Sequence, residues 1–196
     1  MEVNCQKLNV NCCEAMPLEK YKKKRKFKKT PEPGAKAPTT GRYRFVVQEH
    51  HSSRLHYDFR LEMRENTKSK FWVLKSWAVP KGIPKTVGIK HLAVMTEDHP
   101  VNYFSFAGEI PKGEYGAGKV YIWDTGKYVS VHNNLSPEQM LEKGEVDIIL
   151  FGKKLKGRYV LVKTKWLASN RGRSGHGRKN NWLIFRATKQ EVRSTK

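Results

Sequence analysis

Acid is scarce in this chain. Its 196 residues hold 18 Asp and Glu against 39 Lys and Arg, a formal net charge of +21. Such an excess repels itself unless a polyanion is close by, and it points first to nucleic acid. Cysteine is scarcer still: Cys5, Cys12 and Cys13 all fall at the N-terminal end, outside any periodic segment. Their spacing matches no zinc pattern, so they read as incidental thiols in a reducing, cytoplasmic setting. Long apolar runs are missing. None approaches the roughly 18–20 residues that span a bilayer, and neither a secretory leader nor a basic amphipathic helix stands out, so no membrane is expected as a partner. Also missing are a Ser-His-Asp order, a Walker pattern and paired catalytic carboxylates.

What is present divides the chain in three. Residues 1–20 read as a disordered tail. Residues 21–41 form a basic, Pro-containing arm, and Lys20–Lys29 is almost wholly Lys and Arg. Like-charge runs of this kind bury little on their own, but Tyr21 and Phe27 interrupt the run and offer a means of docking it on the domain. From residue 42 to 190 the pattern turns to strands: Arg42–Glu49, Leu55–Met63, Phe71–Val79, Lys90–Thr96, Lys119–Trp123, Asp147–Phe151, Arg158–Thr164 and Trp182–Thr188. About eight strands with short turns predict a mainly β, closed antiparallel barrel, which also removes exposed edges. Asp124-Thr-Gly reads as a turn. One helix starts at Ser136-Pro-Glu-Gln139, an N-cap with a capping-box Gln, and ends at Gly144. Residues 169–181 read as a mobile basic loop suited to a phosphate backbone.

The most telling stretch is Leu55-His-Tyr-Asp-Phe-Arg-Leu-Glu-Met63. Leu55, Tyr57, Phe59, Leu61 and Met63 alternate with His56, Asp58, Arg60 and Glu62, the period of a strand with one buried face. The other face carries an imidazole, a carboxylate, a guanidinium and a second carboxylate, spaced about 7 Å apart. His50 and His51 lie just upstream. A strand-turn-strand path can bring one of them, with His56 and Asp58, around one metal ion, and Arg60 can hold a phosphate beside it. Cross-strand charge pairing explains the same row without a ligand. A second polar cluster, Glu97-Asp98-His99-Pro100, follows an apolar strand, where a loop histidine is rigidly held and accessible. The glycine-rich run Gly113–Gly118 lacks the phosphate-loop form and leads into a strand, so it reads as a tight turn. Glu145 and Asp147 read as surface charges. His132 and His176 lie in polar loops with no carboxylate nearby.

Several segments then occur in one order: Phe45-Val-Val-Gln-Glu-His50, Leu55-His56-Tyr-Asp58-Phe-Arg60-Leu-Glu62, Leu74-Lys-Ser-Trp-Ala-Val-Pro-Lys81-Gly82, Glu97-Asp-His99-Pro100, Ile110-Pro-x-Gly-x-Tyr-Gly-Ala-Gly118 and Val120-x-x-Trp123-Asp124-x-Gly126. Over about residues 21–188 the chain resembles the 3′-phosphoesterase domain of bacterial DNA ligase D. The resemblance implies a compact β-barrel that heals 3′ ends, removing a terminal ribonucleoside and the 3′-phosphate to leave a ligatable hydroxyl. It implies manganese, with zinc or cobalt as other divalent ions. It matches His50 (not His51), His56 and Asp58 to the metal ligands. Arg60, Lys81, His99 and Tyr103 match residues that engage the scissile phosphate, with His99 as donor or general acid. Lys24-Arg25-Lys26-Phe27-x-x-Thr30-Pro31-Glu32-Pro33 is similar to the family's Lys-Arg-Asp-Phe-x-x-Thr-x-Glu-Pro, which makes Arg25 a phosphate-binding candidate and Glu32 a functional one.

Two positions depart from that pattern. Lys26 stands where the family commonly has Asp, and His91 where it has a phosphate-binding Arg. Imidazole lacks the bidentate fork of guanidinium, so phosphate removal is expected above ribonucleoside removal. The expected partners are 3′ ends of DNA or RNA/DNA primer-templates and a separately encoded DNA ligase and polymerase, with the protein itself a monomer. Two other readings stay open: a non-catalytic basic barrel that binds nucleic acid, and a docking module of an end-joining complex.

Overall fold

A computed structural model describes residues 17–164 and 180–188. The cysteines, most of the tail and most of the basic loop at 169–181, including His176, lie outside the described residues. Among the described residues nine strands form one sheet: β1 Arg44–His51, β2 Leu55–Arg64, β3 Trp72–Val79, β4 Lys90–Met95, β5 Gly108–Ile110, β6 Gly118–Ser130, β7 Glu145–Gly152, β8 Lys156–Lys163 and β9 Asn181–Arg186. Their spatial order is β1-β2-β3-β4-β9-β8-β7-β6-β5, and β1 also pairs with β6. The β1–β6 pairing closes eight strands into an antiparallel barrel and leaves β5 as a short extra strand on β6. Two helices are short, α1 Glu19–Lys23 and α2 Pro137–Lys143, and a 3-10 segment spans Val101–Ser105. None is long and apolar enough to cross a membrane.

The alternation read from the sequence fills the barrel. Phe45 and Val47 of β1, Phe59, Leu61 and Met63 of β2, Trp77 and Val79 of β3, and Ile148, Leu150, Leu161, Trp182 and Ile184 form one buried cluster. Helix α2 adds Met140 to that core. Its start has the expected capping box between Ser136 and Gln139, and Gly144 ends it in the left-handed conformation.

Four sequence expectations are revised. The outer face of β2 is not open: Asp58, Arg60 and Glu62 are buried. A second cluster covers this side, joining Leu18 and Tyr21 to Leu74, Tyr103, Phe106, Ile110 and Val120. Asp124-Thr-Gly is not a turn, because β6 runs through it with a bulge opposite Val47 and Gln48. The buried Asp124 carboxylate instead accepts backbone N–H bonds from Lys153, Lys154 and Leu155. Asp147 is not a surface charge: it is buried and takes two bonds from Arg158. His132 has a carboxylate within reach, its Nε2 lying 3.6 Å from Asp147 Oδ2.

Candidate active site

Strand pairing explains how the histidines meet the aspartate. His50 lies directly across from His56 in the β1–β2 hairpin, and Asp58 follows two residues later on the same face. The imidazole centroids are 4.7 Å apart. One ligand atom from each of His50, His56 and Asp58 lies within 4.8 Å of the others. His51, the other upstream histidine, faces away: it is exposed and pairs with Glu49.

Each imidazole is oriented from behind. His50 Nε2 donates to the Gly116 carbonyl at 2.9 Å, which leaves Nδ1 facing Asp58 Oδ2 at 3.6 Å. His56 Nδ1 donates to the Arg54 carbonyl at 3.0 Å, which leaves Nε2 facing Asp58 Oδ1 at 3.7 Å. Backbone carbonyls behind the rings are the usual outer shell of metal-ligating histidines. The two gaps are too long for hydrogen bonds. Ligands about 2.1 Å from one ion lie roughly 3.0–3.4 Å apart, so a small inward movement suits a shared cation. Two imidazoles and a carboxylate make a mixed N/O set, which fits manganese or zinc better than magnesium. The turn at Gly113–Gly118 thereby serves the site. A side chain at Gly118 is barred, because its Cβ would lie 2.2 Å from the His51 carbonyl oxygen.

Arg60 stands behind Asp58 and is held on three sides. It donates to Asp58 Oδ2 at 3.0 Å, Gln48 Oε1 at 2.6 Å and Ser76 Oγ at 2.8 Å. Burial alone would raise the Asp58 carboxyl pKa, but the Arg60 charge and the neighbouring His50 and His56 imidazoles outweigh it and hold the pKa below the usual carboxylate value. Asp58 is therefore charged at neutral pH and ready to accept a cation.

The arm supplies the opposite wall. Arg25 donates to Glu32 Oε1 at 3.0 Å and Glu97 Oε1 at 2.7 Å, and its Nη2 lies 3.1 Å from His99 Nε2. Tyr103 donates to Glu32 Oε1 at 3.0 Å, and Lys24 bridges Glu97 and Tyr115. His99 is buried, with Nδ1 held on the Glu97 carbonyl at 2.9 Å. Burial, then the charges of Arg60 and Arg25, push its pKa well below the ordinary value, so it is neutral at pH 7. These groups surround a cavity of about 240 Å³.

Arg25, Glu32, His50, His56, Asp58, Arg60, His99 and Tyr103 all line this cavity. Lys81 and His91 do not. Lys81 is exposed in the turn after β3, and His91 Nδ1 bonds the Gly82 carbonyl at 2.7 Å. Glu97 and Tyr115 also line the cavity and were not singled out from the sequence. The only signal for them was their place inside the Glu97–Pro100 and Gly113–Gly118 motifs.

A charged carboxylate and two imidazoles beside paired guanidinia equip the cavity for phosphoester chemistry. The model of the DNA ligase D 3′-phosphoesterase domain matches residues 48–163, and the chain belongs to that family. It is 43% identical over 181 residues to the multifunctional non-homologous end joining protein LigD of Pseudomonas aeruginosa, covering 91% of this chain and 19% of that protein. The corresponding proteins of Mycobacterium bovis and Mycolicibacterium smegmatis are 45% identical over 168 residues and 44% identical over 184, covering 83% and 89% of this chain and 21% and 23% of theirs. The chain thus spans about a fifth of the length of these relatives.

Proposed function

We propose that this protein is a metal-dependent phosphoesterase that heals 3′ ends of DNA in end joining. In this reading it removes a terminal 3′-phosphate and, less efficiently, a terminal ribonucleoside, and leaves a hydroxyl fit for ligation. The observation that carries the reading is the convergence of His50 Nδ1, His56 Nε2 and Asp58 in a cavity that also holds Arg25, Arg60 and His99. A barrel that only bound nucleic acid would have no use for a charged Asp58 facing phosphate. Family membership supports the same chemistry.

His50, His56 and Asp58 would hold the ion, with manganese as the cofactor by resemblance. A bound divalent cation supplies Lewis-acid polarisation of a phosphoryl oxygen. Arg25 and Arg60 each spend three of five N–H donors within the protein, and two remain on each for non-bridging oxygens. An arriving phosphate dianion offsets the charge of both arginines. Once Arg25 Nη2 turns from His99 Nε2 to the phosphate, Nε2 can carry a proton and pass it to the leaving 3′ oxygen, while Nδ1 stays on the Glu97 carbonyl. Water attacks phosphorus from the opposite side. His91 supplies no guanidinium fork, and Lys26 is exposed, which favours phosphate removal over the nucleoside step. In this reading the work is done in the cytoplasm, with a separately encoded ligase and polymerase acting on the same end.

The test is a primer-template ending in 3′-phosphate, incubated with manganese or with chelator. Phosphate release is expected with manganese alone, and Asp58→Ala should reduce it by at least about a thousandfold, because one ligand and one charge are lost together. Equal release in chelator, or full activity of Asp58→Ala, rejects the mechanism.

A further inference from the structure

One motif shared with the family remains without a role, Val120-x-x-Trp123-Asp124-x-Gly126. Asp124 has a structural reason, since it pins the backbone of residues 153–155. Trp123 does not. It falls at the bulge of β6 and packs against the barrel core while staying partly exposed. Bulges re-aim side chains and are common beside active sites. Its ring lies 5.5 Å from that of Tyr57, in an edge-to-face contact. Tyr57 sits on β2 between His56 and Asp58, with its side chain on the opposite face. The two rings therefore back directly onto the metal triad, one strand's thickness away.

Lysines frame this aromatic pair. Lys154 and Lys85 place their ammonium groups 4.6 and 5.2 Å from the centre of the Trp123 ring. Both are held from the backbone side. The turn that carries Lys154 is fixed by Asp124, and the Lys85 carbonyl accepts from Arg186 at 2.8 Å. Lys81 is exposed in the same β3–β4 connection as Lys85, next to Gly82, where a Cβ would lie 3.4 Å from the Tyr57 ring. Among the described residues none of these three lysines makes an ion pair. Fixed aromatic faces ringed by unpaired ammonium groups are the chemistry of single-stranded nucleic-acid contact, in which bases stack and cations meet phosphates.

We propose that this barrel end is a second nucleic-acid site, where an unpaired base stacks on Trp123 and its flanking phosphates meet Lys85 and Lys154. The inference rests on the end-healing reading for its biological sense, though not for its binding chemistry. Lysine contacts with an exposed ring are weak, so the ammonium groups swing out to phosphate as a base takes their place. Lys81, outside the cavity, joins this surface.

The test uses the full chain in chelator, with a fluorescent single-stranded DNA dodecamer as probe. Trp123→Ala should weaken binding roughly tenfold, while Trp123→Phe, which keeps a stacking face, should lose about threefold or less. Lys85→Ala with Lys154→Ala should make the log–log salt dependence shallower by about 1.4. The lysine pair is on the surface, so it reports even if Trp123→Ala fails to fold. Manganese-dependent phosphate release from a 3′-phosphorylated dinucleotide, too short to span both sites, should be unchanged in every variant. Binding within twofold of wild type, with an unchanged salt slope, in both the Trp123→Phe and lysine-pair proteins and in any folded Trp123→Ala, overturns the proposal. A wild type that releases no phosphate, yet loses probe binding in the variants, removes the enzyme reading and leaves the platform standing.

Discussion

His99 is the residue whose environment makes the sharpest claim. Burial and the arginines lower its pKa in the folded state, so the unfolded chain binds a proton more readily. Stability from this group is present above the unfolded value of 6.5 and is lost as the pH falls below it, by about 1.4 kcal/mol for each pH unit until the folded value is reached. Asp58 and Glu97, whose pKa values are lowered, contribute only further down, as the pH drops through the usual carboxylate range. Urea midpoints at pH 7.5 and 5.5 check this. Wild type should lose stability over that interval, and His99→Gln should lose distinctly less. Equal losses would mean that His99 is not held neutral by the fold. At this scale the period of two put His56 and Asp58 on one face within reach of an upstream histidine, because that rule is local, while the choice of His50 over His51 came from the family resemblance and agrees with the hairpin register. It placed Glu97 in a polar motif but gave it no role, because that role depends on an arm more than seventy residues away. It misjudged Asp147, because its partner Arg158 is set by the β7–β8 register.

Among the elements, the arm matters most. Tyr21 is wholly buried, and its hydroxyl donates to the Pro33 carbonyl at 2.7 Å. Phe27 touches Tyr21 but stays exposed. Tyr21 is thus the anchor that holds Arg25 and Glu32 against the barrel. Tyr21→Ala should release the arm and leave the barrel intact: trypsin should cut the Lys22–Lys29 stretch many times faster, while the far-ultraviolet circular dichroism of the barrel persists. Phosphate release should fall by about a hundredfold as Arg25 and Glu32 lose their places. Loss of the barrel signal together with the arm would show that the two are one cooperative unit. Most strands were legible because they are short, β-prone runs bounded by turn residues, and β1 and β2 also alternate in sequence. The continuity of β6 was not, since Asp124-Thr-Gly has the composition of a turn and only the pairing with β1 overrides it.

For the molecule as a whole, charge decides the manner of encounter. A net +21 with exposed lysines on the arm and at the barrel end favours long-range attraction to a duplex. Affinity for a 3′-phosphorylated duplex, measured in chelator, should fall about a thousandfold or more between 50 and 200 mM salt. A change below tenfold would mean that few phosphates are touched. The barrel was readable from strand count and short turns. The second layer over β2 was not, because its cluster draws on segments far apart in the chain, each too short to show a period.

Closure of the barrel has a consequence for the order of assembly. β1 meets β2 across a tight local turn, but it meets β6 only after some seventy further residues have been made. Hairpins form in about 1–10 μs, whereas non-local pairings dominate the slow steps of β proteins. All three proposed ion ligands therefore belong to the quick hairpin. An ion captured there would tie the earliest native turn together, so that refolding with manganese present should begin from a partly prepaid nucleus.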